Sequence, residues 1–198
     1  MKYLITHTLL SSHIWTCKIG TKEKVEELKK MINKESMEPN KAMKNGLDFE
    51  ALVKAYTEDR IIDHMSTMEK TAKIIAHIVR GGTWQVKGQK NISIADNEYL
   101  LYGKADVLKG PVIYDIKFIS SEYEMGKYQD STQHRIYFEL FPGCTTFKYL
   151  ISDGYNVYIE QYINSGKYDI NGYISDLMSY LKSKPELFKI FQEKWQAF

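Results

Sequence analysis

The chain has few cysteines, and those it has form no motif. Its two cysteines, Cys17 and Cys144, stand far apart among 198 residues. Two isolated thiols supply neither the four thiolates of an iron–sulfur cluster nor the ligand spacing of a structural zinc site. They also give no disulfide framework of the kind found in small secreted modules. We therefore expect a protein of a reducing compartment, with a cytoplasmic location.

Long apolar runs and an excess of one charge are missing as well. No segment approaches the roughly 20 consecutive apolar residues that cross a bilayer, so no membrane partner is expected. The first residues, MKYLITHTLL, include polar Thr6, His7 and Thr8, and they lack the cleavage site of a secretory signal. With 27 basic and 25 acidic side chains, the formal net charge is +2. A nucleic acid would therefore have to bind to a local basic surface.

No repeat, low-complexity tract or linker divides the sequence. A chain of this length with 43% hydrophobic residues fits a single domain, residues 1–198. We expect a mainly helical part at 1–82, a sheet core with the catalytic residues at 83–163, and helices at 164–198. Helical periodicity begins after the capping residues Thr21 and Asn40, and the longest helical pattern is Arg60–Arg80.

The sheet core is predicted from short apolar segments separated by turn residues. The predicted strands are Thr83–Val86, Asn91–Ala95, Tyr99–Leu108, Val112–Phe118 and Phe147–Ile151, with Tyr155–Tyr162 pairing back on the last of them across Asp153-Gly154. Helices are predicted at Ser131–Phe141, at Ile170–Leu181 and from Pro185 onward. This order of elements predicts an α/β fold with a central mixed β-sheet flanked by helices.

Charged residues interrupt the apolar strands of this core. Asp115 and Lys117 stand two apart in the run VIYDIKFI, so their side chains point to the same face. If Gly110-Pro111 centres the preceding turn, Asp106 lies opposite Asp115, with Cβ atoms about 4.5–5.5 Å apart. Facing carboxylates repel, and a divalent cation with hard oxygen ligands offsets the repulsion. The alternative is a solvated strand with a salt bridge, but the apolar run favours burial, where unpaired charge is costly.

Two further groups of residues flank these strands in the sequence. Gln133 and Tyr137 are four apart on the predicted helix Ser131–Phe141, so they share a face, and both can donate hydrogen bonds to a phosphate. Glu50, four residues after Gly46 on an N-terminal helix, could give the same cation a third carboxylate. The alternative for each is structural, with Tyr137 in the core and Gln133 and Glu50 on the surface.

The ordered set of motifs resembles the PD-(D/E)XK nuclease superfamily, in particular its RecB-like, Cas4-like and phage-type exonuclease branch. The matching residues are Gly46 and Glu50, then Gly103-Lys104-Ala105-Asp106, then Asp115-Ile116-Lys117, then Gln133 and Tyr137. The resemblance implies a restriction-endonuclease-like core. The cysteines that hold an iron–sulfur cluster in some Cas4-like members are absent, which argues against that subgroup.

The resemblance also implies a metal site and its chemistry. Asp106 and Asp115 would ligate Mg²⁺ or Mn²⁺ together with the backbone carbonyl of Ile116. Glu50 would be an additional ligand or would hold a water. Lys117 would polarise the attacking water or stabilise the pentavalent phosphate.

The partner implied by the resemblance is DNA. Gln133 and Tyr137 would hold it near the scissile or terminal phosphate, with His134 and Arg135 close by. The implied activity is hydrolysis of phosphodiester bonds by a phage or prophage exonuclease. Related exonucleases form rings and work with strand-annealing recombination proteins, so a homo-oligomer and such a partner are compatible with the resemblance. Two alternatives stay open: a non-catalytic DNA-binding or scaffold module on the same fold, and a site-specific endonuclease.

Overall fold

Six strands and seven helices form the part of the chain that the computed structural model describes, residues 2–36, 38–60, 67–166 and 168–197. The strands are β1 (Lys2–Thr6), β2 (Thr83–Ile94), β3 (Asn97–Lys109), β4 (Val112–Phe118), β5 (Thr146–Ser152) and β6 (Val157–Ile163). The helices are α1 (His7–Ile19), α2 (Lys22–Ile32), α3 (Lys41–Thr57), α4 (Glu69–Val79), α5 (Thr132–Leu140), α6 (Ile170–Lys182) and α7 (Pro185–Lys194). None of these helices is both long and apolar enough to cross a lipid bilayer.

All six strands join one mixed sheet in which β3 has the most neighbours. β2 pairs antiparallel with β3 over almost its whole length. On the other side of β3, its first half pairs with β1 in parallel, and its last three residues pair antiparallel with the start of β4. β5 continues the sheet parallel to β4, and β6 pairs antiparallel with β5. An α/β fold with a mixed sheet flanked by helices is therefore confirmed.

Helices cover both faces of the sheet because neighbouring strand residues send apolar side chains in opposite directions. In β5, Leu150 packs with residues of α3 and α4, such as Phe49 and Ile75. Tyr149 and Ile151, on either side of it, belong to a second core that includes α1, α2, α5, α6 and α7. The candidate site residues on β3 and β4 therefore lie between two packed layers.

Local signals predicted several boundaries correctly. The side chains of Thr21, Asn40 and Ser131 accept hydrogen bonds from backbone N–H groups at the starts of α2, α3 and α5, as N-caps do. β5 and β6 form the predicted hairpin, and Gly154 in its turn has a φ of 93° that favours glycine.

The structure corrects other boundaries. β1 was not expected from the sequence, and the two strands predicted between Thr83 and Ala95 are one continuous strand, β2. The predicted Arg60–Arg80 helix is shorter, because Arg60 is not helical and α4 begins only at Glu69. Part of the apolar pattern used for that prediction falls on residues 61–66, outside the described residues. The longest described helix is α3, with 17 residues.

Candidate active site

Asp106 lies where the pairing of β3 with β4 stops. The last recorded pair in this direction is Val107 with Tyr114, and the next step of the same register would set Asp106 opposite Asp115. At this step the Asp106 side chain takes over the link to β4, because its Oδ2 accepts a hydrogen bond from the Ile116 N–H at 2.8 Å. The local end of the β3–β4 ladder thus brings a carboxylate to the middle of β4.

Asp115 is buried, with 4% of its surface exposed, and has two polar neighbours. Its Oδ1 accepts a hydrogen bond from Nε2 of Gln133 on α5. Its Oδ2 forms an ion pair with Lys117, whose Nζ lies 2.7 Å away on the same face of β4. The lysine compensates the charge, but no aligned hydrogen bond reaches this buried Oδ2 from any described residue.

Glu50 reaches the site from α3 and is held by β2. Its Oε1 accepts a hydrogen bond of 2.5 Å from Nε2 of Gln85. Gln85 stands opposite Asp106, between the recorded pairs of Trp84 with Val107 and Val86 with Ala105. Its φ of 54° is unusual for a residue with a side chain and costs about 1 kcal/mol or more. Strained residues of this kind cluster at functional sites, where the surrounding structure maintains them.

Two of the three carboxylates, Asp106 and Glu50, have raised pKa values. Burial, then the charge of Asp115, then that of Glu50, raise the pKa of Asp106 well above its ordinary value, against the Ile116 hydrogen bond and Lys117. Burial and Asp115 also raise the pKa of Glu50, and the nearby lysines lower it in part. Desolvation combined with like-charge neighbours is the pattern typical of catalytic and metal-binding carboxylates.

Lys117 keeps its charge in this setting. Burial would lower the pKa of its amine, but the nearby charges of Asp115 and Asp106 raise that pKa above its ordinary value. The side chain is therefore an ammonium ion at neutral pH. It can stabilise negative charge, and it cannot take up a proton from water.

Tyr137 and Gln133 are at the site but inside the protein. Tyr137 is 4% exposed, and its hydroxyl donates to the Lys104 carbonyl at 2.9 Å and accepts from the Lys104 N–H at 3.3 Å. Burial, then Asp115, raise the pKa of this hydroxyl to about 12. Gln133 is 5% exposed and bonded to Asp115. In this geometry the two side chains orient β3 and Asp115, and the predicted contact with DNA would require them to become accessible.

His134 and Arg135 face away from the carboxylates. The His134 ring is buried and stacks on Tyr162 at 4.2 Å, and burial, then Arg135, lower its pKa to about 4. Arg135 donates to the Tyr173 hydroxyl of α6 and to the carbonyl of Gln129. The fold thus brings Glu50, Asp106, Asp115, Lys117, Gln133 and Tyr137 together and directs His134 and Arg135 toward β6 and α6.

Sequence reasoning missed two side chains at the site, His7 and Gln85. His7 begins α1, and its ring lies edge-on to that of Tyr137 with 6.0 Å between centroids. Burial, then the charge of Lys117, lower its pKa to about 4, so the ring is neutral at pH 7. A lone histidine after a capping threonine, and a glutamine in a strand, carry no motif, and only the tertiary fold places them here.

The carboxylate oxygens of Glu50, Asp106 and Asp115 are hard donors, the type of ligand that Mg²⁺ and Mn²⁺ prefer. The raised pKa of Asp106 indicates a deficit of positive charge at the site. The buried Asp115 Oδ2, although 2.7 Å from the Lys117 ammonium, receives no aligned hydrogen bond from the described residues. The carboxylates are nevertheless held by protein partners, and no three His, Cys, Asp or Glu side chains within the described ranges stand at ligand spacing. A cation bound here would compete with these protein partners for the carboxylate oxygens.

Comparisons with known proteins relate the chain to others through its fold. The crystal structure of SSO0001 has a similar fold. It aligns with a TM-score of 0.56 and 11% sequence identity, over 93% of this chain and 78% of that one. At this identity the likeness concerns the fold alone. No family model matches the chain, and no curated protein matches it in sequence.

Proposed function

We propose that the protein is a metal-dependent deoxyribonuclease with a PD-(D/E)XK core, acting as a phage-type exonuclease that hydrolyses phosphodiester bonds. The observation that carries the proposal is the convergence of Glu50, Asp106 and Asp115 beside the charged Lys117, which raises the pKa of Asp106 and of Glu50. A fold keeps such an arrangement at a cost in stability, and the cost is understandable if the groups bind a cation and act on an anion.

In this proposal the acids are the metal ligands. Asp106 and Asp115, the carbonyl of Ile116 and the carboxylate of Glu50 would hold Mg²⁺ or Mn²⁺. When bound, the ion would supply Lewis-acid chemistry, neutralising phosphate charge and lowering the pKa of a water.

The other residues would position and stabilise. The Lys117 ammonium would stabilise the charge that develops on the phosphate, and its raised pKa makes it unsuited to act as a general base. Gln133 would keep the Asp115 carboxylate in one orientation through their hydrogen bond. Tyr137 would do the same for the β3 backbone at Lys104.

A non-catalytic DNA-binding module is the second candidate. The observation that favours it is the engagement of every carboxylate by a protein partner: Lys117 for Asp115, the Ile116 N–H for Asp106 and Gln85 for Glu50. In such a module the charges would be a satisfied internal network, and DNA would bind in EDTA without being cut.

Cleavage assays separate these functions. We expect the wild-type protein to degrade end-labelled linear DNA with Mg²⁺ or Mn²⁺ and to be inactive in EDTA. Asp115→Asn keeps the shape of the side chain and should reduce the rate by at least about 100-fold, as loss of an essential group typically does. The matched control is Asp48→Asn, because Asp48 is an exposed aspartate on α3.

Covalently closed circular DNA distinguishes the mode of cleavage, since an exonuclease cannot cut a molecule without ends. Full cleavage by Asp115→Asn would rule out the proposed active site. Binding without cleavage under every metal condition would favour the non-catalytic module.

A further inference from the structure

β2 and β3 form a ribbon that is closed on one face by α5. Gly88 and Gly103 are directly opposite each other in the ribbon. A Cβ on Gly88 would lie 2.8 Å from the Phe141 ring, and one on Gly103 would lie 2.7 Å from Cδ1 of Leu140. The end of α5 therefore packs directly on the backbone of the ribbon here, and nothing else fits between them.

The next pair along the ribbon is Lys87 with Lys104. Because side chains alternate between faces, both lysines project on the side opposite to α5, and both are exposed. Neither forms an ion pair with any residue in the described part of the chain. Two like charges directly opposite each other destabilise a strand pair. The two lysines therefore do not serve the stability of the ribbon.

Lys90, on the same strand, shows the usual arrangement. It lies on the α5 side of the ribbon and forms a 2.6 Å ion pair with Glu139 of that helix. Lys109, at the end of β3, donates to the carbonyl of Ile78. Among the described residues, the two facing lysines have neither kind of partner.

The unneutralised pair is next to the candidate active site. Lys104 comes two residues before Asp106 on β3, and its charge acts on Glu50, whose pKa it lowers in part. The hydroxyl of Tyr137 fixes the backbone of Lys104 through both its carbonyl and its N–H. A rigid strand therefore presents this ammonium group at the edge of the carboxylate cluster.

We propose that Lys87 and Lys104 together bind a phosphodiester group of a DNA strand, next to the phosphate that the carboxylate site acts on. The inference rests on the proposed function for its choice of DNA as the ligand. Two adjacent ammonium groups would neutralise the backbone and set its position without reading the base sequence. A phosphate between them also removes the repulsion that the free protein carries.

The salt dependence of DNA binding tests this site. A fluorescent DNA duplex is titrated with protein in EDTA, which prevents cleavage, at several KCl concentrations. Each phosphate contact contributes about −0.9 to the slope of log K against log salt for duplex DNA. Because the two lysines share one phosphate, the Lys87→Gln/Lys104→Gln double variant should have a slope less negative by about 0.9.

Lys90→Gln is the matched control, since it removes a lysine of the same strand that already has an acidic partner. It should leave the slope within experimental error of the wild type. Lys87→Gln alone should melt at or above the wild-type temperature, because it removes a like-charge pair. The variant would then be as stable as the wild type or more stable, and it would bind DNA more weakly. If the lysine pair had only a structural role, its loss would lower the stability.

Two results would overturn the inference: an unchanged slope in the double variant, or an equal change in Lys90→Gln. Inorganic phosphate, added in place of chloride at constant ionic strength, is expected to leave DNA bound. Displacement that depends on the two lysines would also support the site, because phosphate can compete only for groups that a DNA phosphate contacts. The proposed function can fail separately. Lysine-dependent DNA binding without any cleavage in Mg²⁺ or Mn²⁺ would refute the nuclease activity and would still support the phosphate-binding site.

Discussion

At Asp106, burial and two neighbouring carboxylates act in the same direction on one acid. Its pKa is raised in the folded state, so ionisation costs more in the fold than in the unfolded chain. Below about pH 3.9, the ordinary value for aspartic acid, both states are protonated and the cost is absent. It grows as the pH rises toward the raised pKa of the folded state. Glu50, whose pKa is also raised, adds a cost of the same sign.

Asp106→Asn should therefore stabilise the protein in EDTA, increasingly so toward neutral pH. The asparagine Oδ1 can still accept the Ile116 hydrogen bond, so the link between β3 and β4 is kept. The gain should be absent near pH 4 and largest at pH 7, because the wild-type aspartate is ionised at a cost there. Urea unfolding from pH 4 to 7 measures it, with the exposed Asp96→Asn as control. A difference from wild type that does not change with pH would show that the carboxylates do not repel one another.

Among elements, the contact of α5 with the β2–β3 ribbon holds the candidate site together. α5 carries Gln133 and Tyr137, and its end packs on the glycine pair Gly88 and Gly103. Any side chain at these glycines would push the helix away and would loosen the hydrogen bonds of Tyr137 to Lys104. The positions of the acidic side chains thus depend on the packing of α5 against Gly88 and Gly103, although neither glycine belongs to the carboxylate cluster.

Gly103→Ala is expected to cost about 1–3 kcal/mol of stability, because its Cβ would meet Leu140 at 2.7 Å and the Tyr137 ring at 3.2 Å. Cleavage of DNA should fall as well, since Tyr137 would shift. Gly46→Ala is the matched control: this helical glycine of α3 has no atom within 4 Å of its added Cβ. It should stabilise the protein by about 0.5–1 kcal/mol, and equal urea midpoints for the two variants would refute the packing argument.

The sequence predicted those elements whose signals are local. Caps, turn residues and strand alternation placed the start of α2, and both α5 and the β5–β6 hairpin, near their true bounds. β1 was missed because it is short and pairs in parallel with residues 98–102, far away in the chain. The gap predicted between Thr83–Val86 and Asn91–Ala95 was wrong. Gly88 lies in that gap, and the need for a glycine there comes from the approach of α5, which is a tertiary contact.

In the candidate site as well, residues with a local signal could be predicted from the sequence, and contacts that depend on the tertiary fold could not. Asp106, Asp115 and Lys117 could be found because charge in an apolar strand is conspicuous in the sequence. The contact of Gln85 with Glu50 could not, since it joins residues 35 positions apart through a residue with no motif. The pairing of Lys87 with Lys104 likewise appears only once the register of the ribbon is known.

For the whole molecule, charge is distributed unevenly despite a net value of +2. Acidic groups meet between β3, β4 and α3, and unpaired lysines stand beside them on the ribbon. A likeness of fold at 11% identity leaves the activity to be decided by this site. An ion bound by the folded state alone would also stabilise the entire chain, in proportion to the logarithm of its concentration.

Calorimetric titration of Mn²⁺ into the metal-free protein tests the carboxylate site most directly. We expect saturable binding by the wild type, with protons released at low pH as Asp106 loses its proton. Asp115→Asn should abolish that binding, and Asp48→Asn should not change it. Absence of saturable heat in the wild type, or equal binding by Asp115→Asn, would contradict a metal site formed by Glu50, Asp106 and Asp115.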